Sequence, residues 1–250
     1  MSDNEFFIGY KAKAPPRQAR FLRRAVGSLI LGGLALAVVL AALQKPFDPG
    51  EFEFGVIRDF EGVLLESPVP TLLTSTQPDH SRFLLVAPGK FGATDLVAGM
   101  NGRTVHLQGS LIHRGDEAMI EILPGSIREA ATPVDRQVST SIRLGDHTLV
   151  GEIVGSKCYL GVMKPGREKT HRACAVRCIS GGIPPILRIT DSRGEPTHLL
   201  LVGRDGRPIN KEILPFVAEP VEMTGTLQRH GDQLAFLITP SSIRRLRQPL

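Results

Sequence analysis

Tryptophan is absent from this chain, tyrosine occurs twice and cysteine three times. With 19 prolines and 26 glycines against so few aromatics, the composition suits turn-rich β structure rather than a helical bundle. A basic surface is missing too, although the net charge is +5. Lys11, Lys13, Arg17, Arg20, Arg23 and Arg24 face only Asp3 and Glu5 within residues 1–24, which leaves +1 for the rest. Phosphate binding needs a basic face on the folded part, so a nucleic-acid partner is excluded.

Catalytic signatures are equally scarce. The chain has no C-x-x-C or C-x-x-C-H, no phosphate loop, no H-E-x-x-H, no Ser-His-Asp pattern and no paired carboxylates. Dedicated hydrolase and nucleotide-binding activities therefore have no residues to rest on, and the chain reads more readily as a non-enzyme.

What is present begins with AVGSLILGGLALAVVLAAL, nineteen uncharged residues from Ala25 to Leu43. As a helix this run spans about 28 Å, close to the ~30 Å hydrocarbon core of a bilayer. It is longer than the hydrophobic stretch of a cleaved signal peptide, so an uncleaved anchor is expected. Six cations precede it, and Lys45 alone lies between it and Ile57. The positive-inside bias then puts residues 1–24 in the cytoplasm and the bulk of the chain in the bacterial periplasm. Phe6, Phe7, Ile8 and Tyr10 add an apolar patch to the tail, suited to the membrane interface or to a partner.

The outer part contains a duplication. VHLQGSLIHRGDEAMIEILPGSIR from Val105 and VEMTGTLQRHGDQLAFLITPSSIR from Val221 align without gaps at an offset of 116, with ten identities in 24 positions. The same offset pairs FLLV at Phe83 with LLLV at Leu199, whereas EGVLLES at Glu61 matches VGEIVGS at Val150 at an offset of 89. Each unit reads as four or five short alternating strands, the size of a small barrel. The fold expected is mainly β: one transmembrane helix, then two tandem OB-like modules, with a compact β-sandwich as the alternative. The boundaries read as a basic tail 1–24, transmembrane helix 25–43, linker 44–55, first module 56–130, linker 131–145 and second module 146–246.

The change of offset places 27 extra residues in the second copy, in an insertion at 157–183 that holds all three cysteines and His171. Within it Thr170 can cap a short helix, Gly181 can close it and Pro184 stops its continuation. On such a helix His171, Cys174 and Cys178 form one stripe, over which Cys158 can return. The ligand pattern is C-x12-H-x2-C-x3-C.

Three chemistries compete for this set. An exported domain favours a structural disulfide from Cys158 to Cys174 or Cys178, which leaves one odd thiol. Three thiolates and an imidazole at Cys158, His171, Cys174 and Cys178 also suit zinc, or copper(I) with fewer ligands. Thiol chemistry is the third option, because Lys157, Lys164, Arg167, Lys169, Arg172 and Arg177 surround the cysteines and a positive field favours thiolates.

GEIVGSKC, HRACAVRCISGGIPP and GTLQRHGDQLAFLITPSSI together resemble a group of small bacterial exported proteins. Those share Asp-Ser-x-Cys, a later Cys-x-x-x-Cys helix followed by Gly, and a closing G-T-strand-turn-strand-Ser-Ile. The resemblance covers residues 149–244 and implies an exported, cysteine-bearing β-module with Cys158, His171, Cys174 and Cys178 carried over. Gly155 stands where that pattern has Asp, so no role needing that carboxylate is carried over.

These readings lead to a membrane-anchored periplasmic accessory or assembly subunit of a membrane redox complex. It would be non-catalytic, have a membrane-protein partner, and use its Cys/His cluster as a staple or metal site. The alternatives are a tethered thiol-disulfide enzyme or a copper or zinc chaperone, and a purely structural binding module.

Overall fold

The computed structural model describes residues 13–44, 50–74, 82–130, 141–191 and 194–246. Phe6 to Tyr10, His80 and most of the second expected linker lie outside these. The chain divides into two units, Met1–Phe47 and Asp48–Leu250. The described residues of the first form a helix, α1 (Pro16–Leu43), which buries no residue and is long and apolar enough to cross a membrane. It begins nine residues before the expected span, because Pro16 is pre-set for the first helical turn and the Arg, Gln, Ala and Leu that follow are good helix formers.

In the second unit the elements run β1 (Glu51–Phe52), β2 (Arg58–Leu65), β3 (Thr71–Leu73), β4 (Arg82–Val86), α2 (Thr94–Val97), β5 (Thr104–Arg114), β6 (Glu117–Ile122) and β7 (Arg128–Glu129). They continue as β8 (Ile142–Gly155), α3 (Arg172–Ser180), β9 (Pro185–Thr190), β10 (Pro196–Gly203), β11 (Pro220–His230), β12 (Gln233–Ile238) and β13 (Arg244–Arg245). Five strands close the first barrel in the order β2-β3-β4-β6-β5 and back to β2, and only β4–β6 is parallel. The second barrel repeats this as β8-β9-β10-β12-β11, with β10–β12 parallel. Two closed five-stranded barrels in tandem are the expected fold.

Even the registers repeat. Gly62 pairs Val105 as Gly151 pairs Val221, and Gly109 pairs Ile122 as Gly225 pairs Ile238. A side chain at Gly62 would meet the Leu73 carbonyl at 2.1 Å, and one at Gly151 the Arg188 carbonyl at 2.5 Å, so both copies need glycine where strands cross closely. Leu64 pairs Leu72, and Ile153 pairs Leu187. By these pairs 26 of the 27 extra residues lie between the first two strands of the second barrel.

The apolar runs of β4 and β10 are buried on both faces. Phe83 and Leu85 fill the first barrel, and Leu199 and Leu201 the second. Their neighbours Leu84, Val86, Leu200 and Val202 instead meet in a third core, shared by the two barrels. At about 1.5–3 kcal/mol per buried aliphatic side chain, this seam is an energetic unit comparable with a barrel interior. Cys158, Tyr159, Leu160 and Cys178 of the insertion lie in the same shared core.

Strand structure reaches into both expected linkers. Gly50 is buried, Glu51 and Phe52 pair with His113 and Ile112, and Phe52 packs on the shared core, so the first module starts before residue 56. β8 likewise begins at Ile142, where Ile142 and Arg143 pair with Arg229 and Gln228.

Candidate functional site

The insertion leaves β8 through one π-helical turn, Cys158–Val162, and returns through a 3-10 turn, Lys169–His171, into α3. Cys174 and Cys178 are one helical turn apart on α3, and the π-helical turn brings Cys158 against them. Cys158 Sγ lies 3.3 Å from Cys178 Sγ and 3.7 Å from Cys174 Sγ, and all three sulfurs fall within 4.8 Å of one another. None is in a disulfide. Cys158 and Cys178 are buried, whereas Cys174 is half-buried and marks the open side of the cluster.

His171 stands apart from the sulfur set. It lies in the 3-10 turn that precedes α3, so the α-helical phase linking Cys174 to Cys178 does not extend back to it. Its ring is buried, and Nε2 has no hydrogen-bond partner among the described residues. Burial, and then the charge of Lys90, push its pKa down. Thr170 does not cap the helix; its hydroxyl donates to the Arg167 carbonyl. The C-terminal end is as expected, closing at Gly181.

The cation at the thiols comes from the other barrel. Lys90, in the loop after β4, donates from Nζ to Cys174 Sγ at 3.0 Å. Lys157, next to Cys158, makes its direct contacts elsewhere, although its charge still helps to lower the Cys178 pKa. Its Nζ donates to the carbonyls of Ala87 at 2.9 Å and Gly89 at 2.7 Å and pairs with Glu121. Lys157 thereby pins the loop that presents Lys90. Arg167 and Arg172, also expected to form the positive field, pair with Glu168 and Glu219.

The glycine pair that ends α3 packs against the same loop. The Gly92 amide donates to the Gly181 carbonyl at 2.9 Å. A side-chain carbon at Gly181 would lie 1.9 Å from the Lys90 carbonyl, and one at Gly92 would lie 2.2 Å from the Gly182 carbonyl. These contacts let two backbones touch and bring ammonium and thiols together.

The sulfurs polarise one another unequally. The Cys178 thiol is pulled down to about 6, chiefly by its hydrogen bond with Cys158, against burial and with help from Lys90. Cys158 is pushed up by the same hydrogen bond and by its burial. One proton shared between two buried sulfurs leaves Cys178 the more thiolate-like partner.

Beneath the cluster, Tyr159 joins the barrels through a polar network absent from the sequence reading. Arg114 of β5 donates to the Tyr159 carbonyl and stacks its guanidinium 4.0 Å from the ring centre. The Tyr159 hydroxyl lies 3.0 Å from His198 Nε2, and His198 Nδ1 lies 2.7 Å from Glu117 of the first barrel. No periodicity or motif marks Lys90 or His198, because their partners are 84 and 39 residues away.

Comparison with protein-family models, with curated proteins and with solved structures found no match. The chemistry of the site therefore rests on its donor set. Three thiol sulfurs that can converge on one point offer soft, anionic ligation. Sulfurs at about 2.3 Å from a trigonal centre stand about 4.0 Å apart, within the spread found here. The same sulfurs are also close enough to exchange electrons as a dithiol pair.

Proposed function

We propose that the protein is a membrane-anchored accessory or assembly subunit of a membrane redox complex, whose paired barrels hold copper(I) on Cys158, Cys174 and Cys178. In this reading α1 stays in the bacterial inner membrane with its N-terminus in the cytoplasm, and the barrels lie in the periplasm. The convergence of three thiols beside Lys90 carries the proposal. Copper(I) is preferred over zinc because the cluster supplies three sulfurs, whereas structural zinc takes four ligands. Three thiolates around a monovalent ion leave a net charge of about −2, which an ammonium 3.0 Å from one sulfur offsets. The half-buried Cys174 gives a donor or acceptor protein access to the ion.

The test uses the full chain in detergent, reduced and anaerobic, titrated with copper(I) or zinc and analysed for bound metal and free thiols. One tightly held copper(I) per chain, three thiols protected on loading, and loss of binding in Cys158→Ser, Cys174→Ser and Cys178→Ser support the reading. One free thiol and no metal in the exported protein would establish a staple instead.

A second reading, thiol-disulfide exchange, draws on the 3.3 Å Cys158–Cys178 approach and the lowered Cys178 pKa. It requires a reversible Cys158–Cys178 disulfide whose reduction by a dithiol is faster than that of an unstrained bond. Failure to form that disulfide under mild oxidation rules it out.

A further inference from the structure

The duplication provides an internal control for a second site. In the first barrel Val63 of β2 faces Leu73 of β3, and both are buried and apolar. At the equivalent step of the second barrel Glu152 of β8 faces Arg188 of β9. A charged pair occupies a position the fold builds from two aliphatic residues. It lies where the inserted segment passes over the strands, lining a cleft of about 920 Å³.

Glu152 is 5% exposed, and one carboxylate oxygen accepts the Glu168 amide. Its only described hydrogen bond is thus to a backbone N–H; among the described residues it makes no ion pair, although the charges of Arg188 and Arg167 act on it from farther away. Arg188 donates from Nε to the Tyr159 hydroxyl at 3.2 Å, and its terminal nitrogens have no hydrogen-bond partner among the described residues. The cleft therefore sets a buried carboxyl and an available guanidinium on neighbouring strands, where directly opposed Cβ atoms stand about 5 Å apart. Val150, Ala218 and Pro220 supply apolar wall, and Arg167, Glu168, Lys169 and Glu219 add further charges around the cleft. Apolar wall combined with convergent polar groups that fix orientation is the usual form of a small-molecule site.

We propose that this cleft binds an apolar α-amino acid, with its ammonium on Glu152, its carboxylate on Arg188, and its side chain against Val150, Ala218 and Pro220. Arginine suits the carboxylate because its planar fork makes two parallel hydrogen bonds. Burial is the main cause that pushes the Glu152 carboxyl up, with the Glu168 charge adding to it, and an ammonium seated against it restores the ionised form. The site is separate from the thiol cluster and does not depend on what the cluster holds.

Isothermal titration of the full chain in detergent with L-leucine, leucinamide and N-acetyl-L-leucine tests this. L-leucine should saturate the cleft, and each analogue, lacking one charge, should bind at least about tenfold more weakly, the scale set by breaking a buried charged contact. The Glu152→Val, Arg188→Leu double variant copies the first barrel and should abolish binding while leaving three titratable thiols. The single Glu152→Gln variant, which keeps an oxygen acceptor for Glu168, should also lose affinity. No saturable binding, equal binding of either analogue, or unchanged affinity in both variants overturns the proposal.

Discussion

Lys90 Nζ of the first barrel and Cys174 Sγ of the second stand 3.0 Å apart, so the thiol site is completed across the duplication rather than within one copy. The first copy has no cysteine of its own and packs against the second through the shared core. It also supplies the cation.

Lys90→Met should move the Cys178 titration, centred at about 6, upward, because Lys90 is one of the charges that lower it. Lys90 is largely exposed, so solvent screens it, and the shift should reflect only about 0.2–1 kcal/mol. Ultraviolet thiolate absorbance against pH reads it directly. An unmoved midpoint would mean that Lys90 does not act on the sulfurs.

Gly181→Ala should separate the loop from the end of α3. Its new carbon would lie 1.9 Å from a backbone carbonyl, which no side-chain rotation relieves. We expect a loss of about 1–3 kcal/mol, the range for overpacking, in denaturant unfolding. Faster alkylation of Cys174 should accompany it as the Lys90 loop lifts. Wild-type stability in this variant would show that the barrels do not need this contact.

His171 gives stability an acid limit. Its folded pKa lies below the usual value of 6.5, so the unfolded chain binds the proton more tightly. Stability is fully present above 6.5 and falls as pH drops through that value towards the lowered folded pKa. His171→Leu should remove this slope and, by removing an unpartnered buried nitrogen, add about 1–3 kcal/mol. Copper(I) stoichiometry should stay at one per chain; loss of the metal would make the imidazole a ligand after all.

Glu152 acts in the opposite sense. Its carboxyl is raised from 4.5 mainly by burial, so the folded chain holds the proton more tightly and stability declines as pH rises from 4.5 through the folded pKa. Glu152→Gln should flatten that decline and leave the protein more stable at neutral pH. Thermal unfolding across this window in both proteins measures it, and parallel curves would contradict it.

Arg114→Met should cost about 1–3 kcal/mol, since it leaves the buried Tyr159 carbonyl without its donor. Chemical denaturation monitored in both barrels should shift at a single midpoint. Two separate transitions would mean that the seam does not couple them.

The alternating strands, the repeat and the stripe formed by Cys174 and Cys178 were legible because each follows a local period that one segment satisfies alone. β4 and β10 show where local reading stops. FLLV and LLLV matched each other, but nothing in them says that Leu84 and Leu200 leave their own barrels to meet in a common core. Lys157 was legible only in part, for a related reason. Its place beside Cys158 suggested a charge acting on the thiols, and it does help to lower Cys178, but its direct contacts are with Glu121 and two carbonyls of the first barrel. The extent of β1 was missed because its pairing with β5 and its packing on the seam are both distant in sequence.

Tyr159 is fully enclosed and touches both copies, so the inserted segment works as a rivet driven through a joint. Once a duplicated pair is fastened this way, neither half can be inherited, expressed or exchanged alone without exposing that ring to water. A split gene would yield two fragments that must find each other before either matures.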